Sequence, residues 1–359
     1  MDKQREYNYD LLRIVACIAV VVIHVSGIYK DAITDIEKFG FAYSENFFPI
    51  MLWNSLSRFA VPCFVMLSGA FLLSDEKNAD YGYFYRKSKK NIVAPTLFFT
   101  VLYLLYSVLT CIVKIMMHQE SDGMFSEILI NLIKGEPYYH LWYMYMLVVL
   151  YVLIPVIIRI KKDFTEIQFR KITYIVFIMC VISGYTSEFM LHYSISKVIC
   201  YVGYLLLGYE IKMLFADKKN NLQAVFLILI GFGVQCIPAV IQYKTAIGEF
   251  TPKLPVVSNF SPFIVIATVF IFIGFSRLSI KTKMFALSAH SFNIYLIHAA
   301  VWHVIAFVGK DLLIRYDCRI TIPICVAVVF AASYLLSVLY SRIDGKLKIT
   351  EKIAGCFEL

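Results

Sequence analysis

The chain is a succession of apolar stretches, each about as long as a helix that crosses a membrane. A hydrocarbon core of about 30 Å requires roughly 20 apolar residues in a helix. About ten stretches meet this length, and the second and third are long enough to tilt in the bilayer. They cover residues 10–29, 47–73, 91–117, 141–160, 171–190, 196–215, 222–243, 259–276, 285–308 and 319–341. The pattern predicts an all-α, polytopic membrane helix bundle.

Composition supports this interpretation. Hydrophobic residues make up 60% of the chain and charged residues 16%, with a mean hydropathy of +0.72, which excludes an ordinary soluble domain. No soluble-looking block interrupts the apolar runs, so we expect a single membrane domain over residues 1–359. The residues after the last predicted helix, 342–359, are too few for an appended soluble domain.

The basic residues predict the orientation of the helices. If the spans alternate, 22 of the 34 Lys and Arg residues fall on one side and 10 on the other. Since cytoplasmic loops carry the excess of Lys and Arg, both termini are predicted to be cytoplasmic. The net charge of +9 then reflects topology and attraction to anionic membrane lipids rather than binding to nucleic acid. The first apolar segment lacks the small-residue cleavage site of a signal peptide.

Two ionisable residues lie inside the first predicted helix. Arg13 and His24 are eleven residues apart, roughly three turns, which places them on one face about 16 Å apart along the axis. Ionisable groups are costly inside a bilayer and commonly mark a functional site. This face of the first helix is therefore the first candidate for chemistry.

Two more ionisable residues are predicted at a similar depth. His24 and His298 lie about 20 Å from the inner ends of their helices, and Arg58 lies about 16 Å from the outer end of its helix. Pro62 removes a backbone donor and frees a carbonyl close to Arg58. A lone buried His is usually structural, but two His and an Arg at one level favour a site. The alternative is that Arg58 pairs with a carbonyl or with a carboxylate such as Glu188 only to fix packing.

Further polar and aromatic residues lie in the fourth and ninth predicted helices. His140 and Trp142 are predicted at the outer end of the fourth helix, and Asn293 and Tyr295 precede His298 in the ninth. These four are candidates for binding the substrate, although Trp and Tyr at a membrane interface are also ordinary belt residues. We expect no metal, because no Cys or carboxylate accompanies the histidines at ligand spacing and no C-x-x-C pair occurs.

A basic segment precedes the third predicted helix. It contains Arg86, Lys87, Lys89 and Lys90. Such a cluster either fixes the topology or binds phosphates that approach from the cytoplasm, because Arg and Lys suit that task. The sequence leaves both interpretations open.

These features, in this order, resemble the acyltransferase-3 family of bacterial integral membrane acyltransferases. The similar positions are Arg13-x10-His24, Arg58-Phe59-x-Val61-Pro62-x-Phe64, Ser68-Gly69, the basic segment ending in Pro95, Leu141-Trp142-Tyr143, Gly208-Tyr209 and Ser291-Phe292-x-Ile294-Tyr295-Leu296-Ile297-His298. One difference is that family members often have R-x-x-R before the proline, whereas here Lys and Asn follow Arg86.

The resemblance implies a membrane O-acyltransferase in the bacterial inner (cytoplasmic) membrane. It implies transfer of an acyl group, usually acetyl from acetyl-CoA, to a hydroxyl of a cell-surface or lipid-linked glycan. It also implies catalytic roles for Arg13 and His24 and a donor site near the basic segment. Besides the glycan acceptor, the expected partners are membrane lipids, and a homodimer is an open alternative.

The residues suggest a mechanism for such a reaction. The basic segment, with Arg13, would hold the phosphates of the donor, and His24 would act as a general base or accept the acyl group. Arg58 would stabilise the oxyanion, and His298 would orient His24 or protonate the thiolate. The competing class is a transporter or flippase of a small amino acid or modified glycan, because buried charge and a kinked helix also occur there.

Overall fold

The computed structural model describes residues 6–36, 45–117, 123–190, 194–249, 252, 255–281, 285–313 and 316–356. These residues form helices, and no strand occurs among them. The helices are α1 (Tyr7–Ile36), α2 (Phe47–Leu56), α3 (Ala60–Leu72), α4 (Tyr81–Ser88), α5 (Ala94–Met116), α6 (Met124–Ile133), α7 (Trp142–Lys162), α8 (Glu166–Met190), α9 (Ser194–Phe215), α10 (Asn221–Ala246), α11 (Pro262–Arg277), α12 (Phe285–Ala289), α13 (Ser291–Leu313), α14 (Cys318–Leu347) and α15 (Ile349–Gly355).

The expected all-α membrane bundle is confirmed. Eight helical segments in the described part of the chain are long and apolar enough to cross a membrane, and α6, α11 and α13 supply three shorter apolar segments. All of these except α6 correspond in position to the ten predicted helices, whereas α6 lies between the third and fourth of them. The number of crossings and the cytoplasmic location of the termini stay predictions.

The second predicted helix is interrupted in its middle. It consists of α2 and α3, and the turn between them contains Arg58. Pro62 has no N–H with which to bond the carbonyl of Arg58, so the regular hydrogen-bond pattern fails here. The backbone N–H of Arg58 instead donates to the carbonyl of Ser55 at 3.1 Å, and that of Ala60 donates to Ser57 at 3.2 Å. The tight turn presents the guanidinium in the interior of the span.

The third predicted helix begins earlier than the sequence indicated. A short amphipathic helix, α4, is capped by Asp80, whose side chain accepts a hydrogen bond from the N–H of Tyr83. It continues through a π-helical turn, Lys89–Val93, into α5. Pro95 cannot donate to a carbonyl one turn before it, and such a defect is often accommodated by a wider turn. The basic segment therefore lies on helical structure that leads directly into a membrane span.

Close packing of α3 on α9 depends on two glycines. A Cβ at Gly69 would lie 1.7 Å from the carbonyl oxygen of Leu205, and one at Gly208 would lie 2.1 Å from that of Met66. Small residues let membrane helices approach closely. The two sequence motifs Ser68-Gly69 and Gly208-Tyr209 therefore meet at one helix–helix contact.

Segments predicted to share one side of the membrane lie at one end of the bundle. Lys212 pairs with Glu6 at 2.7 Å, and Lys90 pairs with Glu351 at 3.1 Å. The Arg159 side chain donates to the carbonyl of Ala79 at 3.0 Å. These contacts join the N-terminal segment to the basic end of α9, and the 77–90 segment to α15 and to the basic end of α7.

Candidate active site

Helix α1 carries His24 into the interior of the bundle, where it packs against α2, α3, α13 and α14. The Trp302 indole of α13 donates a hydrogen bond to the backbone carbonyl of His24 at 3.2 Å. The His24 side chain is half-buried, and among the described residues its ring makes no hydrogen bond. This imidazole is held in position by its backbone and remains accessible.

Three histidine rings converge at this level. The ring centroid of His24 lies 5.1 Å from that of His298 and 6.4 Å from that of His140. The centroids of His140 and His298 are 5.3 Å apart. The rings come from α1, from the segment before α7 and from α13, so the tertiary fold assembles the cluster. We call His24, His140 and His298 the histidine cluster.

The orientation of His298 is set by one hydrogen bond. Its Nδ1 lies 2.6 Å from the carbonyl oxygen of Tyr295. Because a carbonyl oxygen can only accept, Nδ1 carries the proton, and Nε2 of the uncharged ring has a free lone pair. Nε2 is fully buried and has no hydrogen-bond partner among the described atoms. A buried imidazole nitrogen with an available lone pair is suited to accept a proton.

His140 is the member of the cluster that sequence analysis placed differently. It was expected at the outer membrane edge, but it is fully buried against His298. The Tyr295 hydroxyl donates a hydrogen bond to the backbone carbonyl of His140. Neither ring nitrogen has a hydrogen bond of normal geometry, although the Leu296 backbone lies nearby. His140 therefore adds a fully buried imidazole to the cluster.

Asn54 orients Arg58 towards α1. The Asn54 side-chain oxygen accepts hydrogen bonds from Nε and Nη2 of Arg58 at 2.9 and 2.6 Å. The Asn54 amide in turn donates to Ser26 Oγ at 3.0 Å and to the Ile23 carbonyl at 3.3 Å. Ile23 and Ser26 flank His24, and the guanidinium interacts electrostatically with the His24 ring. Arg58 is therefore held beside His24, as its depth predicted.

The partner of Arg58 was missed from the sequence. Asn54 lies four residues before Arg58 on the same face, a spacing at which side chains meet on a helix, and this was the available signal. The side chain of Glu188, the alternative partner, lies outside the described residues.

Arg13 lies away from the histidine cluster, nearer the basic end of the bundle. Its guanidinium pairs with the buried carboxylate of Asp10 at 2.8 Å, and Ser288 donates to the same oxygen at 2.9 Å. The guanidinium also lies 5.7 Å from the ring centroid of Phe71. Arg13 is thus positioned by a polar network that joins α1 to α12.

A cavity of about 250 Å³ extends from Arg13 to Tyr295, which packs against the histidine cluster. Arg13 and Ile92 line it, as do Tyr143 and Tyr295. The Tyr295 ring lies 5.6 Å from that of His298 and 5.7 Å from that of His140. Arg13 and Tyr295 border this space, called here the inner cavity, and the histidine cluster adjoins it only through the Tyr295 ring.

The basic segment lies at the same end of the bundle as Arg13. Arg86, Lys87 and Lys90 are exposed, and Lys89 is half-buried. Lys87 lies 5.6 Å from the ring centroid of Tyr83, and Lys90 pairs with Glu351. The neighbouring cation Lys90 holds the pKa of the Glu351 carboxyl below its usual value. Because Ile92 of the following turn lines the inner cavity, the basic segment lies beside that cavity.

The two remaining sequence candidates lie outside the cluster. The Asn293 amide donates to Ser341 of α14 at 3.0 Å. Trp142 faces a second space beside α7, with its ring centroid 6.2 Å from that of Tyr201. The described residues contain no group of three or more His, Cys, Asp or Glu arranged to hold a metal ion. The cluster offers imidazole groups suited to acid–base chemistry.

Comparison with known proteins identifies the family of this chain. No curated protein and no solved structure matches the chain. The profile of the acyltransferase-3 family, described as an acyltransferase domain, matches residues 6–342. Because this match covers nearly the whole chain and the structure is a bundle of apolar helices, the chain belongs to the acyltransferase-3 family and is a multi-pass membrane acyltransferase.

Proposed function

We propose that this chain transfers an acyl group, usually acetyl, from a cytoplasmic acyl-CoA to a hydroxyl of a cell-surface or lipid-linked glycan in the bacterial cytoplasmic membrane. The observation that supports this most directly is the histidine cluster, which adjoins the inner cavity through Tyr295. His24 is accessible, and His298 presents a buried Nε2 without a partner. The family membership supplies the reaction class.

The inner cavity fits one part of such a donor. Its volume of about 250 Å³ is below the roughly 300–1,000 Å³ of typical ligand pockets, so it suits a narrow arm rather than a nucleotide. When bound, an acyl-CoA supplies an activated thioester. Arg13 and the basic segment lie where they would bind its phosphates, and Tyr143 and Tyr295 line the route towards the histidine cluster.

His24 is the proposed general base. It removes the proton from the acceptor hydroxyl as the hydroxyl oxygen bonds to the acyl carbon. The carbon–sulfur bond of the donor then breaks, and the departing sulfur takes this proton back from the cluster. The products are an ester and a free thiol, and the imidazoles end uncharged. The ring centroid of His298 lies 5.1 Å from that of His24, and we assign His298 the role of holding the proton between these two steps.

Arg58 is the proposed electrostatic stabiliser. Two hydrogen bonds to Asn54 fix its guanidinium beside His24 before any substrate binds. A donor that is oriented in advance stabilises the negative charge developing on an acyl carbonyl oxygen, and removing one such donor typically costs about 3–4 kcal/mol. In this proposal, the break between α2 and α3 places the Arg58 guanidinium where it stabilises the oxyanion.

The function is tested in cells by mass analysis of surface glycan. Cells producing the wild-type chain should carry acetyl esters on their glycan, whereas cells with His24→Ala should lack them at equal membrane levels of protein. His290→Ala is the matched control, because His290 lies outside the cluster, with its ring centroid 5.5 Å from that of Tyr334. Undiminished esters in His24→Ala would refute the proposal.

A further inference from the structure

A second space lies along the outer surface of the bundle, between α5 and α7. It is a fissure of about 630 Å³ bounded by the end of α6 and by α9. Thr100 of α5 and Tyr145 of α7 share a hydrogen bond of 3.1 Å across this region. The fissure is separate from the inner cavity, and none of its lining residues has a role in the proposed transfer apart from the candidate Trp142.

The fissure is open to the lipid. Helix α5 is little covered by other helices. Within the apolar part of its span 28% of the residues are buried, compared with 61% for the span that contains α1. Two lining residues, Val149 and Ile133, remain 46% and 77% exposed. A hydrocarbon chain in the bilayer therefore reaches this space without crossing the protein.

The lining has two chemically different parts. One part is aliphatic, with Val93, Leu97, Val148 and Val149, and suits a hydrocarbon chain. The other part combines aromatic, amide and charged side chains; its members are Trp142, Tyr201, Asn259, Lys134 and Glu136. Aromatic side chains with a few polar groups are typical of small-molecule sites, and a sugar ring offers both apolar C–H faces and hydroxyls to such a lining.

Charge distinguishes between two kinds of lipid head group. Lys134 is the cation of the polar part, and Glu136 lies two residues away in the same lining. A carboxylate in the same lining offsets the positive charge of Lys134, which disfavours the phosphate of a phospholipid at this end. An uncharged sugar, by contrast, uses both groups as hydrogen-bond partners for its hydroxyls.

We propose that this fissure binds the acceptor as a glycolipid, with its hydrocarbon chain between α5 and α7 and its sugar beside Trp142. This rests on the proposed function, because it identifies the acceptor of the same reaction. Trp142 follows His140 by two residues, so a sugar at this end adjoins the histidine cluster. Trp142 lines the fissure and the next residue, Tyr143, lines the inner cavity, so the donor and the acceptor occupy spaces on either side of the segment that carries His140.

The test is photo-crosslinking of the full-length protein in nanodiscs of phosphatidylcholine and phosphatidylglycerol. The probe is dodecyl β-glucoside with a diazirine in its alkyl chain, and labelled residues are located by mass spectrometry. Label is expected on Leu97, Val148 and Val149, with competition by unlabelled dodecyl glucoside but not by glucose or added phosphatidylglycerol. Val149→Trp fills the fissure and should reduce the labelling about tenfold, equivalent to about 1.4 kcal/mol of binding.

Val152→Trp is the matched control. Val152 lies on the same helix with 53% exposure but does not line the fissure, so its replacement should leave the labelling unchanged. Equal labelling of Val101 and Leu105 on the lipid face of α5, or competition by phosphatidylglycerol, would overturn the proposal by indicating ordinary contact with bilayer lipid.

A separate assay distinguishes this inference from the proposed function. Release of free thiol from acetyl-CoA is measured with dodecyl glucoside or with glucose as the acceptor. Localised labelling without thiol release for any acceptor would contradict the transfer reaction and leave the glycolipid site standing. Thiol release that is equal with glucose and unaffected by Val149→Trp would contradict the glycolipid site and leave the transfer reaction standing.

Discussion

The rings of His24 and His298 lie with centroids 5.1 Å apart, although they belong to helices from opposite ends of the chain. The backbone carbonyl of His24 accepts a hydrogen bond from the Trp302 indole, whereas the ring of His298 donates one to the carbonyl of Tyr295. The chemistry of the pair therefore depends on ring nitrogens that the fold has left available. This relationship leads to predictions that separate structural from chemical roles.

His298→Asn should abolish transfer while the protein remains folded. The Asn amide can replace Nδ1 and keep the hydrogen bond to the Tyr295 carbonyl, but nothing replaces the basic Nε2. Loss of a general acid–base group typically reduces the rate about 10²–10⁴-fold. The measurement is kcat for thiol release in proteoliposomes, together with the thermal unfolding midpoint. A variant with normal kcat would assign His298 a packing role alone.

Asn54→Ala should lower kcat with little change in the KM for acetyl-CoA. The substitution removes the acceptor that holds Arg58, and we expect a loss of about tenfold or more, since one oriented donor contributes a few kcal/mol to transition-state binding. Asn293→Ala is the matched control because it also removes a side-chain hydrogen bond, to Ser341, outside the cluster. Equal losses in the two variants would indicate a general effect on packing.

Arg13→Gln should raise the KM for acetyl-CoA more than it lowers kcat. Arg13 borders the inner cavity but does not contact the histidine cluster, so its charge acts on donor binding. Loss of about 1.4 kcal/mol would raise KM tenfold. Asp10→Asn should change KM in the same direction by a smaller factor, because Asp10 only positions the guanidinium. A fall in kcat at constant KM would instead place Arg13 in the chemical step.

Replacing the four basic residues of the 86–90 segment with Gln should raise the KM for acetyl-CoA, and the effect should decrease at high salt. Exposed charges are screened within about 8–10 Å at moderate ionic strength. The charge-matched control replaces Lys218, Lys281, Lys346 and Lys352 with Gln. Glu351→Gln removes the ion-pair partner of Lys90 and should lower KM. An unchanged KM in the first variant would leave this segment a role in topology alone.

The sequence predicted the helices and the level of the site for clear physical reasons. Apolar runs of sufficient length mark spans, and counting residues from the ends of α1 and α13 placed His24 and His298 at one depth. The break between α2 and α3 followed from Pro62, although its position at residues 57–59 required the actual hydrogen bonds.

Other features depend on tertiary packing and were not predicted. His140 was expected at the membrane edge because it precedes an apolar run, but the segment before α7 reaches into the bundle and buries it. Asn54 was overlooked because a single amide in an apolar helix has no distinctive pattern. The pairing of Gly69 with α9 and of Gly208 with α3 likewise requires knowledge of which helices pack together.

The central claim is that imidazole chemistry at the cluster drives acyl transfer from CoA. The most direct measurement is release of free thiol from acetyl-CoA by the purified protein in proteoliposomes, with the glycan fraction of the source membrane as acceptor. The wild-type chain and His290→Gln should release thiol at similar rates, and His24→Gln should be at least about 10²-fold slower. Movement of glycan across the bilayer without thiol release, or a wild-type rate in His24→Gln, would contradict the claim.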